Sequence, residues 1–387
     1  MMQRLIGYSK IVVALLCCGA LTGCFKDEPA NNEADIEAVT VEVDCPEEIF
    51  FHETDATIVV PAESSTITFE VRRQADLTAL APQFRLTPGA TIVPENGSVH
   101  DFSNGPVIYT VTSEDGQWKR TYEVSFRRVT HMKDAVIALD FEHYALEPSA
   151  GKYYIWTEES DGDLQGSVWA TGNPGFQLSM SSAKPDAYPT APYADGYDGA
   201  AVCLTTRDTG LFGAMAGKRI AAGNLFLGEF DLSIALRDAL HATRFGIPFA
   251  KKPLRITGYY RYQPGPTFQD PKGKVVSGRT DEAAIYAVLF RNHDAEGNAM
   301  VLYGDNFKTS PLITALADMR PIPPTTEWTQ FDIPFNYTED IDLDLLDGRG
   351  YSLTVVFSSS AGGDTFEGAI GSQLIVDKVR IICEEEE

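Results

Sequence analysis

The segment Ile256-Thr257-Gly258-Tyr259-Tyr260-Arg261-Tyr262 alternates in the way that a half-buried β-strand does. The alternation places Tyr260 and Tyr262 on one face, which we expect to pack in a core. Tyr259 and Arg261 then lie on the opposite face, which we expect to be the open face of a sheet. This strand therefore predicts a sheet that is buried on one side, and the flanking sequence decides its architecture.

Similar strand-like segments lie on both sides of it, separated by long stretches rich in turn residues. Helical periodicity is weak apart from residues 231–242, which predict one short helix. About ten strands joined by large loops predict an antiparallel jelly-roll β-sandwich. The main segments are residues 135–142, 200–205, 254–263, 283–291, 328–335, 351–358 and 374–382.

Upstream of about residue 130 the runs are shorter and the turn signals closer together. Pro88-Gly89, Asn96-Gly97, Asn104-Gly105 and Asp115-Gly116 are such signals. About seven strands in this span predict a small immunoglobulin-like β-sandwich, which we interpret as a spacer. The all-β chain is thus predicted to hold this sandwich at residues 36–130 and the larger jelly roll at residues 131–387.

The first residues have the features of a secretory signal. Arg4 and Lys10 precede an apolar run, residues 11–21, that is too short to cross a bilayer as a helix. The run ends in Leu21-Thr22-Gly23-Cys24, which resembles the lipobox of bacterial lipoproteins. The resemblance implies cleavage after Gly23 and acyl chains on Cys24 that anchor the protein to a membrane. The alternative is an ordinary secretory signal with an incidental cysteine.

Residues 24–35 are polar and predict a flexible tether. Its first residues, Phe25-Lys26-Asp27-Glu28, resemble the surface-export signal of lipoproteins from polysaccharide-foraging gut bacteria. That resemblance implies an outer-membrane protein that faces the cell exterior. A solvated linker without an export function is the alternative.

Composition excludes some partners. The chain has 31 Lys+Arg against 55 Asp+Glu, a net charge of −24, which argues against nucleic acid and fits neutral glycans better than acidic ones. Beyond Cys24, the remaining cysteines of the predicted mature chain are Cys45, Cys203 and Cys383. Their wide spacing predicts neither a disulfide framework nor a zinc site.

Several short motifs of the downstream sequence occur in an order that is typical of a known family. From about residue 132 to 384 the chain resembles the putative carbohydrate metabolism domain found in lipoproteins of gut bacteria. The resemblance implies a fold similar to carbohydrate-binding modules and jelly-roll glycanases, together with glycan contact, but it supplies no reaction. The motifs are Asp140-Phe141-Glu142, Trp169-Ala170-Thr171-Gly172-Asn173, Gly258-Tyr259-Tyr260-Arg261-Tyr262, Trp328-Thr329-Gln330-Phe331-Asp332-Ile333-Pro334-Phe335, Phe357-Ser358-Ser359-Ser360-Ala361-Gly362-Gly363-Asp364 and Gly371-Ser372-Gln373-Leu374-Ile375-Val376-Asp377-Lys378-Val379.

Sugars are bound by stacking on aromatic rings and by hydrogen bonds from amides, carboxylates and guanidinium groups. Strand tyrosines also serve packing alone, loop tyrosines also pack onto their own domain, and Trp169 is either a loop anchor or a sugar platform. Trp328 begins a strand and is expected in the core. The candidate glycan-binding residues are Tyr259, Arg261, Trp169, Asn173, Tyr188, Tyr193, Tyr197 and Asp364.

A structural calcium ion is a further possibility, because jelly-roll binding modules similar to this one hold such an ion between their first and last strands. Asp140 and Glu142 lie two apart on the first strand, and Asp377 lies on the last. Calcium takes six to eight oxygen ligands. The alternative is that these carboxylates pair with Lys378 or Arg380.

A glycosidase needs two carboxylates that flank the scissile bond. Asp340, Asp342 and Asp344 have the period of a strand but precede a connector, and Asp364 with Glu367 forms a second possible pair. We therefore predict a surface lipoprotein that binds polysaccharide or oligosaccharide without cleaving it. The alternatives are a glycoside hydrolase on the same fold and a scaffold subunit of a glycan-uptake complex, which would show a broad apolar patch.

Overall fold

The structure, a computed structural model, describes residues 29–158, 169–235 and 237–386. Contacts divide the chain into one unit that ends at Thr130 and another that begins at His131. The predicted signal segment, residues 1–23, and the predicted lipidation site Cys24 lie outside the described residues. None of the helices in the described ranges is long and apolar enough to cross a membrane.

The first unit is a sandwich of two small sheets. One sheet has the strand order β2-β1-β4 and the other β3-β7-β6-β5, in which β3 and β7 are parallel. Alternate residues of β3 enter the core between them. The elements are β1 (Ile36–Val41), α1 (Pro46–Ile49), β2 (Thr57–Val59), β3 (Thr66–Arg72), β4 (Pro82–Leu86), β5 (Thr91–Val93), β6 (Val107–Thr112) and β7 (Lys119–Val129), with a 3-10 turn at Glu53–Ala56.

The end of the predicted tether belongs to this unit. The backbone N–H of Asn31 donates to Glu114 Oε2 at 2.7 Å, and Ala34 is buried. Asp35 Oδ1 accepts the hydroxyl of Tyr122 at 3.1 Å and pairs with Arg120 at 2.5 Å. The prediction of a flexible tether up to residue 35 is therefore wrong at its end, because a partly buried cation and a hydroxyl hold Asp35.

The second unit is formed almost entirely by β-strands. Its elements are β8 (Met132–Leu139), β9 (Tyr144–Leu146), β10 (Tyr154–Trp156), β11 (Trp169–Ala170), α2 (Asn173–Ser179), β12 (Thr190–Tyr193), β13 (Ala201–Thr205), β14 (Arg207–Asp208), α3 (Gly210–Met215), β15 (Ile220–Ala221), β16 (Asn224–Phe230), α4 (Ala239–Ala242), β17 (Thr243–Phe245), β18 (Ile247–Phe249), β19 (Lys252–Gln263), β20 (Phe268–Gln269), β21 (Ala284–Arg291), β22 (Leu302–Tyr303), β23 (Ile313–Met319), β24 (Thr325–Pro334), β25 (Asn336–Tyr337), α5 (Leu343–Asp347), β26 (Tyr351–Ser358), β27 (Gly368–Ala369) and β28 (Gln373–Glu386), with 3-10 turns at Pro185–Ala187 and Gly363–Thr365.

Two antiparallel sheets dominate this unit and confirm the predicted jelly-roll sandwich. The smaller sheet has the order β12-β13-β28-β19-β24, with β8 also paired to β28. The larger sheet has the order β22-β17-β16-β26-β21-β23-β25, with β11 beside β16 and β18 beside β26. The main core lies between the two sheets.

Strand β21 is buried on both faces. Ile285, Ala287 and Leu289 point into the main core, while Tyr286 and Val288 belong to a second apolar cluster on the outer face of the larger sheet. Loops and short helices cover part of that outer face and leave a cavity. The two outer faces are therefore different, and each holds one candidate site.

The helix predicted over residues 231–242 forms only at its end, as α4. Asp231 Oδ1 accepts the backbone N–H and the hydroxyl of Ser233, which stabilises a turn at the start of the segment. Asp238 caps α4 by accepting the backbone N–H of His241. The apolar periodicity is present, but the aspartates at residues 231 and 238 favour a turn and a later helix start.

Candidate functional site

Strand β19 has the predicted side-chain register. Tyr260 and Tyr262 are each 1% exposed and lie in the main core. Tyr259 and Arg261 are half-buried on the outer face of the smaller sheet. Trp328 on the neighbouring strand β24 shares this outer face, so its predicted place in the core is wrong.

Four side chains meet on this outer face, and we call Tyr197, Tyr259, Trp328 and Arg261 the aromatic platform. The rings of Tyr197 and Tyr259 stack with centroids 3.7 Å apart and planes at 9°. Tyr197 meets Trp328 edge-on at 6.1 Å, and the Arg261 guanidinium lies 4.5 Å from the centroid of the Trp328 ring. Tyr197 is 47% exposed, so the platform presents an aromatic surface to solvent.

Arg261 is held by stacking on Trp328. Among the described residues it has neither an ion pair nor a hydrogen bond, and its Nε atom is buried without a partner. A guanidinium carries five N–H donors in a fixed plane. In a chain with a net charge of −24, a cation that is left unpaired beside exposed rings is a group suited to a ligand.

The loop that carries Tyr197 is fastened to the last strand. Asp377 Oδ2 accepts the backbone N–H of Tyr197 at 2.7 Å and that of Asp198 at 3.0 Å. Lys378 Nζ pairs with Asp198 at 2.9 Å. Glu142 accepts the backbone N–H of Ala200 at 3.1 Å, which fixes the far end of the loop. These contacts set Tyr197 against Tyr259.

A β-bulge in β28 makes this arrangement possible. Thr257 is opposite Arg380 and Tyr259 is opposite Asp377, so two residues of β28 face the single residue Gly258. Within the bulge Lys378 has a φ of +50°. A non-glycine residue in this region is strained, and the surrounding contacts keep it there.

The carboxylates predicted to bind calcium have these other partners. Asp140 Oδ1 lies 2.7 Å from Arg380 Nη1 and 3.4 Å from Lys378 Nζ. Glu142 and Asp377 accept backbone N–H groups of the Tyr197 loop. In the described ranges no group of three or more acidic, cysteine or histidine side chains could hold a metal ion. The set does not fit calcium, because Asp140 is paired with two cationic side chains while Glu142 and Asp377 accept backbone N–H groups.

Three other predicted glycan-binding residues are buried and structural. Trp169 is 1% exposed, and its Nε1 donates to Glu158 Oε1 at 2.6 Å. Asn173 is buried and exchanges two hydrogen bonds with the backbone of Thr190. Tyr188 is buried against Phe176 and Tyr153. Neighbouring elements exclude solvent from these three side chains, so none of them presents a surface to a sugar in this structure.

Two predicted residues lie elsewhere. Tyr193 is half-buried on β12, at the opposite edge of the smaller sheet from β24. Asp364 lines a cavity of about 230 Å³ on the outer face of the larger sheet, whereas β19 belongs to the smaller sheet. The structure thus brings Tyr197, Tyr259 and Arg261 together and separates them from the remaining candidates.

Both predicted carboxylate pairs make contacts within the fold. The Asp342 side chain caps α5 by accepting the backbone N–H groups of Asp344 and Leu345. Glu367 pairs with Arg279 at 2.9 Å. Each pair therefore has a member that is engaged by its own fold.

The fold and the platform define a two-unit, all-β protein whose larger unit is a jelly-roll sandwich with a solvent-facing aromatic surface. Residues 140–382 match the family model described as "Putative carbohydrate metabolism domain", and the chain belongs to this family. Residues 48–125 match the model described as "SGBP, N-terminal". No curated protein sequence matches the chain.

Two crystal structures of proteins described as a "putative glycoside hydrolase" are similar to this chain. One, from Bacteroides thetaiotaomicron, is 37% identical, covers 92% of this chain and 99% of its own, and superposes with a TM-score of 0.59. The other, from Bacteroides vulgatus, is 35% identical, covers 64% of this chain and 97% of its own, also with a TM-score of 0.59.

Proposed function

We propose that this protein binds a neutral glycan on the aromatic platform and does not cleave it. The observation that carries the proposal is the unpaired Arg261 guanidinium beside solvent-facing rings. The CH face of a sugar stacks on an aromatic ring, and guanidinium donors suit its hydroxyl groups. Membership of a carbohydrate-metabolism family supports a glycan as the ligand.

The geometry of the platform suggests how the sugar lies. Tyr259 is covered by Tyr197, so the outward face of Tyr197 is the stacking surface. Trp328 stands nearly perpendicular to it and keeps Arg261 in place. A sugar on Tyr197 would lie beside the Arg261 donors. The chain's net charge of −24 disfavours a polyanionic glycan.

We also propose that the protein is anchored in the outer membrane by acyl chains on Cys24 and faces the cell exterior, with the first unit as a spacer. The lipobox sequence and the acidic residues behind it support this location. Association with other proteins of a glycan-uptake complex is part of the same proposal. A glycoside hydrolase is the second candidate, and it is favoured by the description of the two relatives.

The test uses residues 25–387, which include every residue that the structure describes. The protein is screened against a panel of neutral and acidic polysaccharides, and both retention and released reducing ends are measured. We expect retention of a neutral polysaccharide without new reducing ends. Reducing ends that accumulate with time would establish the hydrolase instead.

A matched pair of variants locates the site. Tyr197→Ala removes the stacking surface and should weaken retention about tenfold, since one ring stack is worth up to about 1.5 kcal/mol. Trp118 is a similarly exposed aromatic residue in the first unit, so Trp118→Ala is the control and should retain full binding. If Trp118→Ala loses binding and Tyr197→Ala keeps it, the glycan site lies in the first unit and the platform proposal fails.

A further inference from the structure

The cavity on the outer face of the larger sheet is separate from the aromatic platform and has different walls. Its volume is about 230 Å³. An engineered apolar cavity of about 150 Å³ accommodates benzene, so this one has room for an aromatic ring with a short chain. Aromatic side chains are prominent among its lining residues, and they include Phe226, Phe230, Phe245, Tyr286, Phe307 and Phe366.

Two cations stand at this cavity and share one carboxylate. Lys308 Nζ lies 3.2 Å from Asp318 Oδ2, and Arg320 Nε lies 3.1 Å from the same oxygen. Lys308 also lies 4.3 Å from the centroid of the Tyr286 ring. The two cationic side chains and the one carboxylate together carry a net charge of about +1. An anionic group would complete this set.

The remaining charged side chains of the cavity leave that excess unchanged. Lys218 and Asp364 both line the cavity and cancel in charge. The Lys218 ammonium donates to the carbonyl of Ala235 at 2.8 Å. A locally positive lining is unexpected in a chain with a net charge of −24, and it favours an acid over a neutral molecule.

The rim of the cavity is apolar and exposed. Leu178 on α2 and Phe212 on α3 line the cavity while remaining 41% and 61% exposed. Leu211 and Met215, also on α3, are 81% and 88% exposed. Exposed apolar side chains clustered at a cavity mouth indicate that an apolar ligand continues outward over them.

One wall is held in a strained conformation. Phe366 has φ +60° and ψ +27°, a region that bulky residues rarely adopt. This conformation follows the 3-10 turn at Gly363–Thr365 and places the ring in the cavity wall, 5.2 Å from Lys218 Nζ. Strain of this kind persists at sites that need a fixed wall.

We propose that this cavity binds a small carboxylic acid with an apolar body, its carboxylate on Lys308 and Arg320 and its body among the aromatic rings. A pyranose fits less well, because its several hydroxyl groups would face ring carbons that offer no hydrogen bonds. The site is independent of the glycan platform. The cavity would bind either an aryl carboxylate or an acyl carboxylate, and the experiment below distinguishes these two kinds of ligand.

The experiment titrates residues 25–387 by calorimetry with trans-cinnamate, octanoate, cinnamyl alcohol and glucuronate. We expect saturable binding of cinnamate or octanoate and weak binding of the alcohol and of glucuronate. Lys308→Met removes one cation while Arg320 still pairs with Asp318, and it should weaken acid binding about tenfold. Phe212→Ser, a change at an exposed rim position, should weaken octanoate more than cinnamate if the chain of the ligand leaves the cavity at α3.

Tyr197→Ala is the matched control and should bind the acids as the wild type does. A Lys308→Met protein that melts early is replaced by Arg320→Gln, since Arg320 is exposed. The proposal is overturned if no acid saturates, if glucuronate binds better than cinnamate, or if neither cation variant weakens binding. Failure of glycan retention in the platform experiment would leave this outcome unaffected, because the two sites share no residue.

Discussion

Replacing Glu158 with glutamine should stabilise the protein above neutral pH. Glu158 is 7% exposed, and its Oε1 atom accepts the indole N–H of Trp169 at 2.6 Å. Burial raises the pKa of Glu158 from 4.5 to about 7, while the hydrogen bond from Trp169 opposes the rise. The folded state therefore binds a proton more tightly than the unfolded state, so ionisation of Glu158 opposes folding.

The magnitude follows from the size of the pKa shift. Below about pH 4.5 the carboxyl is protonated in both states and costs nothing. As pH rises from there through 7 the penalty grows, and at about 1.4 kcal/mol per unit it approaches about 3 kcal/mol. The substituted amide carries no charge, and its oxygen can still accept from Trp169. The Glu158→Gln variant should thus melt roughly 6–12 °C higher than the wild type at pH 8 and close to it at pH 4.

The assay is thermal unfolding of both proteins from pH 4 to pH 8, followed by near-ultraviolet circular dichroism. Glu147→Gln is a control of opposite sign, because hydrogen bonds from Ser149 and the backbone lower the pKa of Glu147. It should destabilise the protein by a nearly constant amount from pH 8 down to about pH 5, because the stabilisation by the ionised Glu147 is lost only as pH falls from about 4.5 towards 2. A pH-independent difference between Glu158→Gln and the wild type would refute the reasoning.

Four further outcomes are expected. Tyr259→Ala removes the ring on which Tyr197 stacks, so it should weaken glycan retention about tenfold with little change in melting. Tyr260→Ala should instead destabilise the protein by about 3 to 5 kcal/mol, and the opposite pattern would mean that the strand register is reversed. Asp377→Ala should reduce retention as much as loss of the Tyr197 ring, with Asp377→Asn milder, and unchanged retention in both would show that the loop needs no anchor. A chelator should leave retention unchanged, and a loss restored by calcium would contradict the pairing of Asp140 with cationic side chains. Cys24→Ala should abolish fatty-acid labelling of the chain in cells, and label on the variant would exclude Cys24 as the anchor.

The sequence predicts what depends on local alternation. Tyr260 and Tyr262 enter the core because side chains alternate between the two faces of β19, and both tyrosines share the buried face with Ile256. The same rule applied to β24 places Trp328 outside, since Phe331 and Ile333 alternate into the core. The assignment of Trp328 to the core disregards this alternation, so the signal that corrects it is present in the sequence.

The cavity could not be predicted in the same way. Its walls come from β16, β17, β21 and loops distant in sequence, and no local pattern shows that Phe245, Tyr286 and Phe366 converge. The burial of Trp169, Asn173 and Tyr188 could not be predicted for a related reason. A turn-rich neighbourhood suggests exposure, but segments distant in sequence, such as β16 against Trp169, bury them.

The acidic residues of the first and last strands show how one pattern can serve two purposes. Asp140 and Glu142 follow β8 two residues apart, and Asp377 lies on β28, so the three carboxylates resemble a calcium site. A metal ion bound there would rigidify the adjoining loop. In this chain Lys378 and Arg380 supply the positive charge, and the buried Asp377 binds the Tyr197 loop directly through two backbone N–H groups. A loop held in this way is already ordered before a ligand arrives, so less conformational entropy is lost on binding. The aromatic platform therefore depends on a carboxylate and a strained lysine that lie outside the stacking surface we propose for the glycan.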